Sequence, residues 1–178
     1  MMKREIFATD IGEKITQFHR AFDRDDDLLS AVLRGHMMIE ERLHDVIAAG
    51  VACYSRPYDR NDIFTFGTAI ELCRSIVGRA ATPGLWEAVK SLNNLRNAVG
   101  HRNEPARLKN LLLKFFKHSE SVALCVYKDG AAYNPEGEDD RTHAIAIRVR
   151  AMAMWTVLGI LADNLAHDLD DALQARRP

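Results

Sequence analysis

Apolar residues recur at three- and four-residue intervals along nearly the whole chain, which is the spacing of helices that each bury one face. Strict alternation is confined to one short stretch, so a sheet-based architecture is excluded as the main plan. A first helix runs from about Glu5 to Phe22 on Ile6, Ile11, Ile15, Phe18 and Phe22. The acidic cluster from Asp23 to Asp27 breaks it and offers N-cap and first-turn carboxylates to a second helix. That helix covers about Asp26 to Ala49 and stops at Gly50, with Leu29, Val32, Leu33, His36, Ile39, Glu40, Leu43, Val46 and Ile47 on its inner side. Pro57 forbids continuation. Asn61 or Asp62 caps a third helix carrying Phe64, Phe66, Ile70, Leu72, Cys73 and Ile76, and Gly78 suits its C-cap. Thr82 and Pro83 form an N-cap and N1 pair for a fourth helix, ending near His101. A fifth runs from Pro105 to about His118 with Leu108, Leu111, Leu112, Phe115 and Phe116 inward.

Two readings stand for residues 120–150. Val122 to Tyr127 fits either a strand or a continued helix, Lys128 to Arg141 is a polar turn-rich loop, and Ile145, Ile147 and Val149 alternate as in a strand. A small β-hairpin or irregular insertion is one outcome, and unbroken helix is the other. From Met152 the helical pattern returns through Met154, Leu158, Leu161, Leu165 and Leu169. The expected fold is all-α: one domain over residues 1–178, a bundle of five to six helices with or without that insertion. Trp86 and Trp155 lie within apolar patterns and are expected core anchors.

Composition narrows the function classes. With 47% hydrophobic residues the 178-residue chain can bury a core without staples. A net charge of -1 leaves no chain-wide attraction for polyanions, so nucleic-acid contact would have to rest on a local patch. Cys53, Cys73 and Cys125 include no Cys-x-x-Cys pair, which points to reduced thiols rather than a disulfide frame or zinc ribbon. The start, MMKREIFATDIGEKI, lacks the apolar run of a signal peptide. Apolar stretches elsewhere are broken by charge before the roughly 20 residues of a membrane span. A cytoplasmic protein without a membrane anchor is the expectation.

The fourth helix carries the chemistry. Leu85, Ala88, Leu92, Leu95 and Val99 form its apolar stripe, while Asn93, Asn97 and His101 lie one turn apart on the opposite side. Arg96 falls at the edge between these faces, and Ala98 and Gly100 leave room for a second helix. Asparagines are disfavoured inside helices because their amides compete for backbone hydrogen bonds, so three on one short helix suggest contact rather than scaffolding. Pairing two such helices would bring two guanidinium groups and two imidazoles into one cleft. Imidazole can take the proton of a 2'-hydroxyl near neutral pH, and guanidinium offers a fixed fork of donors to phosphoryl oxygens. His101 then reads as base, Arg96 as stabiliser of developing charge and Asn97 as orienting group. This chemistry needs no metal or cofactor.

The segment LNNLRNAVGHR, with Arg96, Asn97 and His101, resembles the HEPN superfamily motif, in which arginine is followed after four to six residues by histidine. The preceding stretches GHMMIEERLHDVI and FTFGTAIELCRSIVG are similar to the family's order of helices, and the resemblance covers roughly Leu28 to Phe116. It implies a helical domain that dimerises through this region. Many members are metal-independent endoribonucleases of toxin–antitoxin or defence systems, so it also implies RNA as substrate and an antitoxin or nucleotidyltransferase as partner. Others are non-catalytic binding modules. The helix order is also similar to that of the mannitol operon repressor family, which implies the alternative: a non-catalytic dimer serving protein binding or transcriptional regulation.

Around this motif, His36, Glu40 and His44 recur every four residues. A metal site would need a further ligand, and the His-Glu-x-x-His order is absent. A polar seam in which His36 or Glu40 satisfies Arg96 has the better base rate, making both residues expected supports of the site. Arg102, Arg107, Lys109, Lys114 and Lys117 form a basic run interrupted by Glu104 alone. Arg102, Arg107 and Lys109 are candidate RNA contacts, and the competing reading is a solvated helix face.

Overall fold

The computed structural model describes Thr16 and residues 27–51, 65–82, 84–100, 105–127 and 133–175. Five helices make up these residues: α1 (Leu28–Gly50), α2 (Phe66–Val77), α3 (Leu85–Gly100), α4 (Pro105–Val126) and α5 (Asp140–Gln174), with a 3₁₀ turn at Gly78–Ala80 after α2. The fold is an all-α helical bundle. Most of the first expected helix, His101, Arg102, Cys53, Asn61, Asp62, Phe64 and Pro83 lie outside the described residues.

Side-chain caps fix where three helices start. Asp27 Oδ1 accepts from the Ser30 amide at 2.7 Å, and Asp139 Oδ1 accepts from the Thr142 amide at 2.7 Å. Thr65 Oγ1 accepts from the Thr68 amide at 3.2 Å, so Thr65 caps α2, one turn beyond the asparagine or aspartate expected from sequence. Gly78 takes φ +58° at the end of α2, a conformation costly for any residue with a Cβ.

No hairpin forms among the described residues of 120–150. Helix α4 runs past His118 to Val126 because Leu112, Phe115, Phe116, Ser119, Val122 and Ala123 are all buried at helical spacing. The polar Ser119 hides the pattern in the sequence, yet its hydroxyl donates to the Phe115 carbonyl at 2.7 Å and so costs the core nothing unpaired. Ile145, Ile147 and Val149 belong to α5. Ile147 is fully buried, whereas Ile145 and Val149 point outward, so their alternation is an accident of an exposed apolar stripe rather than a strand's two faces.

Helix α5 is the spine. It packs most extensively on α1, then on α4. Gly35 of α1 meets Ala151 of α5 so closely that a Cβ at Gly35 would lie 3.2 Å from the Ala151 Cβ. One turn and more along, the buried Arg42 guanidinium sits 3.9 Å from the Trp155 ring centroid and pairs with Asp45 at 3.0 Å. By length and composition a stretch of α5 could cross a membrane, but 72% of that apolar window is buried within the bundle, as in a core helix. Cys73 is also core: its thiol donates to the Leu43 carbonyl, and burial pushes its pKa up to about 12.

Helix α1 is buried on two sides, which widens its inner face beyond the expected stripe. Leu28, Ala31, Gly35, Arg42 and His44 are buried there, while Leu29 is 43% exposed and Leu33 and Glu40 are half-buried. On α3 the buried stripe ends on Ala98, with Val99 half-buried. Trp155 anchors the core as expected, but Trp86 is half-buried at its margin.

Candidate functional site

Three helices converge on one cavity of about 610 Å³. From α1, Leu33, His36, Met37 and Glu40 reach it because their spacing puts them on one face. The start of α2 brings Thr65, Phe66 and Gly67, and α3 brings Asn93, Arg96 and Asn97. Four residues expected from sequence, His36, Glu40, Arg96 and Asn97, therefore share one wall system. Among the described residues, Asn93 and the first turn of α2 complete it.

The partly buried polar contact at the cavity is not the expected one. His36 lies 3.1 Å from Asn93, Nε2 to Oδ1, so the neutral ring carries its proton on Nε2 and donates it to the amide oxygen. Its ring stacks on Phe66 with centroids 4.0 Å apart and planes 27° apart. Arg96 is exposed and donates from Nη1 to Asn97 Oδ1 at 3.2 Å. Neither His36 nor Glu40 bonds Arg96, and among the described residues Glu40 and Arg96 form no ion pair with each other. The seam expected to satisfy Arg96 instead satisfies His36, since Asn93 lies one turn before Arg96 on α3 and faces the imidazole. The exposed guanidinium borders the cavity, with one of its five N–H donors given to Asn97.

Electrostatics follow from this layout. Burial holds the His36 pKa below the ordinary histidine value, the Asn93 hydrogen bond and Glu40 pull it back up, and the Arg96 charge adds to the lowering. Because the fold disfavours the imidazolium, the unfolded chain takes up that proton more readily. The contribution of His36 to stability is thus complete above the unfolded pKa of about 6.5 and declines as pH falls below it. Substituting His36→Gln keeps a donor for Asn93 and removes the titration. Urea unfolding of the variant is expected to lose less stability between neutral pH and about pH 5 than the parent does. Parallel pH profiles for the two proteins would assign the acid sensitivity elsewhere.

A second cavity of about 610 Å³ adjoins the first and shares Thr65, Gly67 and Asn93 with it. It extends the groove between α2 and α3 to Lys90, whose Nζ lies 2.8 Å from Glu71 Oε1. The candidate RNA contacts do not gather at this groove. Arg107 and Lys109 are exposed on α4, and Lys109 lines a different cavity with Leu28, Glu138, Asp140 and His143. Lys114 and Lys117 are exposed as well, so the described part of the basic run forms a solvated face of α4. Among the described residues no three His, Cys, Asp or Glu side chains are placed to hold a metal ion.

Sequence reasoning missed Asn93 as the partner of His36 and did not place Thr65, Phe66 or Gly67 at the site. The first had a signal, since Asn93 was already placed on the polar face of its helix. The α2 residues had only the weak signal of a threonine before an apolar run. Compared with protein-family models, with curated proteins and with solved structures, the chain matches none.

Proposed function

We propose that the chain is a HEPN-like, metal-independent endoribonuclease that works as a homodimer, with the α1–α2–α3 groove holding the scissile phosphate. The observation that carries this reading is the convergence of Arg96, Asn97, Asn93 and His36 on one cavity. Arg96 presents its guanidinium to the phosphoryl oxygens, and Asn97 fixes the orientation of that fork through the 3.2 Å hydrogen bond. His101, immediately beyond the last residue of α3, takes the 2'-hydroxyl proton as general base. His36 is a positioning residue: it holds Asn93 against the cavity wall, so that Arg96 bonds Asn97 rather than the imidazole.

The test is incubation of purified protein with RNA in chelator. Cleavage is expected for the parent and a loss of about 100-fold or more for Arg96→Ala and for His101→Ala, the range of a removed transition-state donor or base. Cleavage retained by both variants overturns the assignment. RNA bound but never cut by the parent favours the second reading, a non-catalytic dimer that binds a protein partner or regulates transcription. That reading draws on Met37, which stands 63% exposed at the cavity rim as an apolar anchor for another surface. An antitoxin or a nucleotidyltransferase is the partner class expected under the first reading.

A further inference from the structure

The two cavities that meet at Asn93 have different walls. The first holds Arg96 and Asn97, and the second runs between α2 and α3 to Glu71 and Lys90. Ile70, only 1% exposed, meets the second cavity as an apolar floor, and Thr68 and Asn94 line it from the two helices. Gly67 borders both cavities without a side chain, and the nearest atom a Cβ there would meet is Thr65 Oγ1 at 3.8 Å. Space is thus kept open between an apolar floor and polar walls, as a flat heteroaromatic ring requires. We infer that the second cavity seats the nucleobase beside the scissile phosphate, and that Asn93 selects a nucleobase bearing a carbonyl oxygen over adenine. The identity of the substrate rests on the ribonuclease reading above.

The selection originates in His36. An amide oxygen cannot donate, so in the 3.1 Å contact the imidazole Nε2–H donates and Asn93 Oδ1 accepts. The imidazolium carries the same Nε2 proton as this neutral tautomer, so the lock holds in either form. With Oδ1 turned towards α1, the amide nitrogen occupies the other branch of the planar group, on the side of the α2–α3 cavity. That nitrogen has no hydrogen-bond partner among the described residues, and it is not sealed from solvent. Asn93 therefore offers the cavity donors and no acceptor. Uracil, cytosine and guanine each present a carbonyl oxygen to such a donor. Asparagine reads adenine as a pair, in which Nδ2 donates to a ring nitrogen and Oδ1 accepts from the exocyclic amine. Here His36 already holds Oδ1, so the adenine amine would face a donor.

The experiment measures binding of 2'-O-methyl hexanucleotides of uridine and of adenosine by fluorescence anisotropy. Their blocked 2'-oxygens prevent cleavage, so affinity is read without turnover. The parent is expected to bind the uridine hexamer at least about threefold more tightly. In Asn93→Asp the carboxylate still accepts from His36 but turns an acceptor to the cavity, and the uridine-to-adenosine ratio is expected to fall by about tenfold. Reading the ratio cancels a uniform loss caused by the added charge. Gly67→Leu fills the second cavity from an open position on α2 and is expected to weaken both hexamers at least about tenfold, with the urea midpoint kept or raised. A ratio unchanged by Asn93→Asp, full binding by Gly67→Leu, or no binding of either hexamer by the parent overturns the inference. RNA left uncut in chelator by a parent that ranks the hexamers as expected defeats the ribonuclease reading and supports this one. Cutting without any ranking does the reverse.

Discussion

Leu95→Ala is expected to lower the free energy of unfolding by about 2–5 kcal/mol, with the slope of its urea dependence unchanged. Leu95 is fully buried, as are Leu92, Ala88 and Leu85 on the same face of α3, and the core around it also holds Leu43, Ile47 and Phe115. Truncation removes three carbon atoms from a close-packed site and leaves a cavity that helices on several sides cannot all collapse into. For a domain of this size the loss is a large share of the total stability of about 5–15 kcal/mol. The same residue precedes Arg96, so it sets the rotation of α3 that points Arg96, Asn97 and Asn93 at the cavity. A chain that keeps its midpoint within about 1 kcal/mol equivalent of the parent would show that α3 is not packed on this face.

Gly35→Leu is expected to destabilise by about 3 kcal/mol or more, while Gly35→Ala changes stability little. At 3.2 Å from the Ala151 Cβ, an added methyl is tight but tolerable, and alanine offsets the strain with about 1 kcal/mol of helix propensity over glycine. Leucine has no such escape, because its branch extends past a Cβ that already lies against Ala151. Thermal unfolding of the pair separates the two effects. Similar stability for both variants would mean that α1 and α5 do not approach each other at Gly35.

These two positions show how far the sequence could be read. Leu95 was assigned to the core from its place in a single apolar stripe, and α3 behaves that way because one broad face of it is buried. Gly35 carried no visible message. A helix buried on two sides, as α1 is, replaces large apolar residues with small ones where another helix comes closest, and periodicity counts only the large ones. Arg42 was invisible for a related reason: burial of a charged side chain depends on a partner from another element, here Trp155, which spacing within one helix cannot reveal. The choice between hairpin and helix near Ile145 stayed open because its outward apolar residues alternate as a strand's would. At the site, helical geometry identified the face that presents His36, Glu40, Arg96 and Asn97. It could not choose between Asn93 and Arg96 as the partner of His36, since the two lie one turn apart and only their height along α1 decides.

The parallel pairing of α1 with α5 has a consequence for synthesis. Leu28 and Asp140 are separated by about 110 residues of chain, yet their helices form the largest contact in the bundle. At roughly 5–20 residues per second, a ribosome delivers the second partner some 6–20 seconds after the first. Throughout that interval the small-residue face of α1 around Ala31 and Gly35 lacks its α5 partner, so the nascent chain emerges with its most extensive seam open and seals it only when α5 leaves the exit tunnel.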